Sequence, residues 1–126
     1  MEDEDVFREQ QRVFQEAKHR LRATAVQGRF REQERTRCLL TLQELEPLPD
    51  ATPTYRSLGR AYLLSTKQEV VSELQNAVEE CDKELGTLQE TKLRLDAAIL
   101  AAEANLKEHL AANPELARSM LAASQA

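Results

Sequence analysis

From Val71 onward, apolar residues recur at alternating spacings of three and four: Val71, Leu74, Val78, Cys81, Leu85, Leu88, Lys92, Leu95, Ile99, Ala102 and Leu106. Ten of these eleven positions are apolar, and a repeat kept up over that length is a coiled-coil seam. Lys92, the one polar member, is expected to direct its ammonium outward along an apolar stem. Such a stripe must be covered by a second helix, and the candidate lies upstream. Residues 3–46 contain no proline and one glycine, Gly28, and Phe7, Phe14, Ala17 and Leu21 share a heptad phase that returns at Cys38, Leu42 and Leu45. Continuing that phase puts Thr24, Gly28, Arg31 and Arg35 at core positions and leaves Val26 and Phe30 off it. The expectation is a local shift of register or a bend near Gly28, with a break into two helices as the alternative, because a mid-helix glycine costs ~1 kcal/mol relative to alanine.

Between the two arms the chain changes character. Pro47, Pro49, Asp50 and Pro53 end the first helix, since proline offers no N–H and disfavours helical backbone before it, so residues 47–53 form a loop. Tyr55, Leu58, Tyr62, Leu63 and Leu64 then make a short apolar run with Gly59 at its middle, which predicts a β-hairpin over 54–65 reversing at the glycine. Thr66-Lys67-Gln68-Glu69 spells a capping box and opens the second helix, 67–112. Asn113-Pro114 stops it. The tail, 113–126, has two outcomes open to it: a short helix carrying Leu116, Met120 and Leu121, or disorder.

Two helices of this length, at ~1.5 Å rise per residue, would each extend roughly 60 to 70 Å. The short connection makes them antiparallel. Charge agrees: residues 8–37 carry nine Arg or Lys against four Glu, and residues 76–105 carry seven acids against three bases. In an antiparallel pair, residues whose numbers add to about 113 lie side by side, which sets these blocks opposite each other. The arginine-rich run is therefore a complementary flank rather than a nucleic-acid patch. In that register Cys38 and Cys81 are offset by roughly 9 Å, too far for a disulfide. His19 and His109 are not level, so they share no metal and are expected to be solvated.

Composition excludes several classes. Aromatics make up 4% of the chain and charged residues 31%, which leaves little to fill an enzyme-sized core. A net charge of −5 argues against nucleic acid or anionic membrane as a general partner. The acidic start is not followed by an apolar core of a secretory signal, and no stretch approaches the ~18 apolar residues of a membrane span. A soluble intracellular protein with two reduced thiols is expected. No nucleotide-cradling GxxxxGK[ST] loop, HExxH pair or activated nucleophile is present, so neither cofactor nor catalysis is expected.

A two-stranded hairpin is marginal alone, and both of its edges offer unpaired N–H and C=O groups, so it needs partner strands. With this in view, Leu45-Glu46-Pro47-Leu48-Pro49-Asp50 and the run Tyr55-Arg56-Ser57-Leu58-Gly59-Arg60-Ala61-Tyr62-Leu63-Leu64-Ser65-Thr66-Lys67 resemble the LPxD, YxxxG and hairpin-to-helix segments of β-type prefoldin subunits. The resemblance spans about Val6 to Leu110. It implies a mainly α fold, a long antiparallel two-helix coiled coil with one short β-hairpin between the helices. It also implies a cytoplasmic heterohexamer of this chain with two α-type and three further β-type prefoldin subunits. Their hairpins would form a double β-barrel platform, and the coiled-coil tips would hold unfolded clients such as actin and tubulin without ATP and pass them to the cytosolic chaperonin. Tyr55, Leu58, Gly59, Tyr62 and Leu64 are then assembly residues.

The open end of the helix pair carries Val6, Phe7, Val13 and Phe14 from the first arm and Leu106, Leu110 and Leu116 from the second. These exceed what one seam can bury and are the expected client-binding residues. The competing reading makes Phe7 and Phe14 ordinary seam residues. The rival for the whole chain is a structural or tethering coiled coil that holds no client, a role in which the hairpin would have no use.

Overall fold

Glu2, Asp3, Glu4 and Asp5 set four carboxylates against the positive end of a helix dipole, and from there α1 runs unbroken over Glu2–Leu45 in the computed structural model, which describes residues 2–125. Strands β1 (Thr54–Leu58) and β2 (Ala61–Ser65) follow, then α2 (Lys67–Ala112) and α3 (Pro114–Gln125). The expected capping box forms at the start of α2: Thr66 Oγ1 accepts from the Glu69 N–H at 3.1 Å, and Glu69 Oε2 accepts from the Thr66 N–H at 3.5 Å. At the far end Asn113 Nδ2 donates to the His109 carbonyl at 3.0 Å. Pro114, which needs no N–H partner at the first helical position, then opens α3.

The chain divides into two compact units, Val26–Gln89 and Met1–Ala25 with Glu90–Ala126. In the first, the two helices are antiparallel and tied by side chains. Arg35 Nε donates to Asp82 Oδ1 at 2.6 Å, and Arg31 pairs with Glu84 across the seam and with Glu34 on its own helix. Cys38 and Cys81 are buried, free thiols. Burial pushes the Cys81 thiol above its ordinary value, with Glu34 and Cys38 adding to the effect, so it stays protonated and unreactive. Lys67 Nζ donates to the carbonyls of Leu48 at 2.8 Å and Glu46 at 3.2 Å. An ammonium thereby satisfies the C-terminal end of α1 and pins the proline loop to the start of α2. These pairings lie within a few residues of the register expected from the sequence.

Near Gly28 the alternative of a break into two helices does not occur, since α1 is continuous, and the burial pattern keeps its phase. Thr24, Gly28, Arg31 and Arg35 are half-buried on the seam line, while Val26 and Phe30 are exposed. The phase holds because Arg31 and Arg35 lay their stems along the seam and their guanidinium groups find carboxylates on α2, replacing apolar packing with paired charge. Lys92 is exposed, in keeping with an ammonium directed outward from the seam. An added Cβ at Gly28 would meet nothing within 4 Å. Gly28→Ala is therefore expected to stabilise the chain by about 0.5–1 kcal/mol, read as a higher midpoint in thermal melting followed by circular dichroism; a destabilised variant would mean α1 needs a break there.

Candidate functional site

The hairpin is built by one glycine. Gly59 has φ of +60° and Arg60 does not leave the negative-φ half of the map, the pattern of a two-residue turn of the II′ type, whose twist suits antiparallel strands. Pairing runs from Thr54↔Ser65 through Tyr55↔Leu64 and Ser57↔Tyr62 to Leu58↔Ala61. Alternation then sorts the side chains onto two faces. One carries Tyr55, Ser57, Tyr62 and Leu64; the other carries Thr54, Arg56, Leu58, Ala61, Leu63 and Ser65.

The second face is anchored to its own helix: Arg56 Nε donates to Ser65 Oγ at 2.9 Å and its guanidinium pairs with Glu73, while Ser65 is buried. The first face has no such cover. Tyr62 is 74% exposed, and Tyr55 and Leu64 are nearly as open. Both strands are edge strands of a two-stranded sheet. Thus apolar side chains and unpaired backbone groups are presented together, a combination that soluble proteins otherwise avoid. Leu63, exposed beside Leu58, lies on the opposite face, so that face too keeps open apolar groups; sequence reasoning gave Leu63 no role, although its place in the apolar run was signal enough.

In the unit formed by Met1–Ala25 and Glu90–Ala126, the expected tip residues separate. Val6 and Val13 are exposed; Phe14, Leu106 and Leu110 are half-buried. Lys18 Nζ sits 5.1 Å from the centre of the Phe14 ring, a cation–π contact that covers one face of it. Phe7 and Leu116 are 4% and 7% exposed, the inward placement that the competing seam reading gives Phe7. The reason is local cover. The His109 ring stacks on Phe7 with centroids 5.9 Å apart, and its Nε2 lies 3.1 Å from the Asp3 carbonyl. His109 is accordingly half-buried rather than solvated. The tail is helical, and its first turn borders Asp3 and Glu4 with Leu116 turned inward.

Two apolar residues of this unit were missed: Leu93 and Leu100, the latter 68% exposed. Each follows a seam position by one residue, so the signal was an extra leucine off the repeat. Gln10, between Phe7 and Phe14 on the α1 seam, buries its Oε1 without a partner among the described residues. No group of histidines, cysteines and carboxylates that could hold a metal occurs among the described residues. No described helix is long and apolar enough to cross a membrane.

Comparison with known proteins points one way. The family model described as prefoldin subunit matches residues 8–113. Prefoldin subunit 1 of Arabidopsis thaliana is 33% identical over 118 residues, covering 94% of this chain and 92% of that protein. Prefoldin subunit 1 of Tetraodon nigroviridis is 34% identical over 73 residues, covering 58% and 60%. In fold, the chain matches the crystal structure of the prefoldin beta subunit from Thermococcus strain KS-1 with a TM-score of 0.73 at 22% identity, over 83% of this chain and 92% of that one.

Proposed function

This chain belongs to the prefoldin subunit family, whose members are chaperone subunits, and from that premise we propose that it serves as one β-type subunit of a heterohexamer that captures unfolded proteins without nucleotide. Its other members are two α-type and three further β-type prefoldin subunits. The clients are of the actin and tubulin kind, and they pass to the cytosolic chaperonin. The observation that carries this reading is the hairpin: two open strand edges beside exposed Tyr55, Tyr62 and Leu64 suit a sheet completed by sister hairpins, with Leu58 and Leu63 on its other face and Gly59 making the turn. A closed barrel removes every edge, which a two-stranded sheet cannot do for itself.

Client capture falls to the apolar residues left open on the other unit. Val6 and Val13 on α1, with Leu93 and Leu100 on α2, are aliphatic side chains dispersed among charges. They suit shallow, unspecific contact with extended apolar segments. Phe14, Leu106 and Leu110, half-buried, contribute their outer edges. Exposed valines can be changed without loss of packing, so Val6→Ser with Val13→Ser is expected to leave the native mass of the complex unchanged while reducing its suppression of aggregation of denatured actin roughly threefold to tenfold. Unaltered suppression at unaltered mass would remove α1 from the client site.

A further inference from the structure

Helix α3 brings apolar groups to the unit of Met1–Ala25 and Glu90–Ala126 that neither the hairpin nor the seam requires. Leu116 is buried, Ala117 and, one turn on, Met120 are half-buried, and Glu115, Arg118 and Leu121 face solvent. No residue of a lone 12-residue helix reaches the burial of Leu116, so its cover comes from the ends of α1 and α2. The first turn of α3 borders Asp3 and Glu4, and Phe7 lies one turn along α1 from both. Thus α3 is seated on the open end of the helix pair. Its hold there is slight. Asn113 caps α2 through its own side chain, so α2 ends in the same way with α3 seated or away. Among the described residues no hydrogen bond or ion pair joins a side chain of α3 to α1 or α2. Asp3, Glu4 and Glu115 line the cleft between the two first turns, and no basic residue lines it among the described residues. The joint therefore sets like charges together and is held by its apolar stripe.

We propose that α3 is a self-docked lid, which fills ground at the coiled-coil end that an apolar client segment takes once α3 swings out about Asn113-Pro114. The proposal rests on the capture reading above and adds its regulation. Lid and client compete for one surface, so the apparent affinity for a client falls by the fraction of chains whose lid is open. Segments with too little apolar surface to displace Leu116 and Met120 are refused, which sets a threshold that an open tip lacks. Val6 and Val13, exposed whether or not α3 is seated, make the first contact. A helix as short as α3 is marginal by itself, so leaving the seat and losing helical hydrogen bonds go together, and the opening is visible in the exchange of its amides.

The test uses the assembled complex containing the full chain, with Leu116→Ser and Met120→Ser together in one variant. Hydrogen exchange of the amides of residues 115–125 is expected to quicken about tenfold while that of residues 90–106 stays as in the parent. Aggregation of denatured actin, followed by light scattering, is then expected to be suppressed at roughly threefold to tenfold lower complex concentration. A second variant that ends at Asn113 is expected to match the first, which separates loss of the lid from any new property of the serines. Weaker suppression in both variants would make α3 part of the client surface and overturn the lid. Unchanged suppression with quickened exchange would place clients elsewhere and overturn it too, as would exchange in α3 that the serines leave unaltered. A parent complex that suppresses nothing overturns the capture reading and the lid with it, a result distinct from a parent that suppresses and variants that do not improve on it.

Discussion

Tyr62→Asp combined with Leu64→Asp is expected to abolish the assembled complex while leaving the helices of this chain intact. Both side chains are exposed in the single chain and lie on the hairpin face opposite Arg56 and Ser65, so the substitutions remove little packing within it. In an assembly whose sheet is finished by sister hairpins, the same positions become interior. Each buried, unpaired carboxylate then costs several kcal/mol, or is protonated at similar expense. Two together exceed what a short strand-to-strand contact can recover. Native mass spectrometry of the reconstituted subunits is expected to lose the six-chain species, with far-ultraviolet circular dichroism unchanged. A complex of unaltered mass would mean that this face is solvent-exposed in the working protein, and the spacer reading would take its place.

The other large effect is on the chain's own stability. Leu95→Ala is expected to destabilise by about 2–3 kcal/mol, whereas Leu93→Ala, two residues away, stays within about 0.5 kcal/mol. Leu95 is buried on the seam and Leu93 is not. The contrast is sharp because the core is thin: buried apolar positions include Ala17, Cys38, Cys81 and Ala102, and no large side chain is wholly sealed from solvent among the described residues. Where few bulky groups carry the packing, losing one takes a large share of a total stability of roughly 5–15 kcal/mol. Thermal melts of the complex at equal protein concentration, with hydrogen exchange of residues 90–112, read both effects. Equal losses from the two alanines would mean that the 3-4 repeat does not define which side of α2 is inside.

How much was legible varied along the chain for physical reasons. The α2 seam could be read because nearly every position on it is apolar, and the capping box because its partners are three residues apart. The middle of α1 could not. Arg31 and Arg35 look like breaks in a hydrophobic pattern, and only Glu84 and Asp82, some fifty residues on, turn them into seam members. At the chain's first turns the same difficulty arises with Phe7. Its apolarity is plain, but whether it faces solvent depends on the His109 ring, about a hundred residues on.

Sequence alone determined the elements: two long helices, one glycine-turned hairpin, and the residues that start and stop each. Those depend on backbone preferences and on periodicities that repeat within a few residues, so short stretches carry them. Tertiary structure decided which apolar groups are spent and which are left over. Phe7 and Leu116 went inward, while Phe30, Val26, Leu93 and Leu100 stayed out. Burial is a property of what lies opposite a side chain across the helix pair, and in this chain what lies opposite is a distant residue.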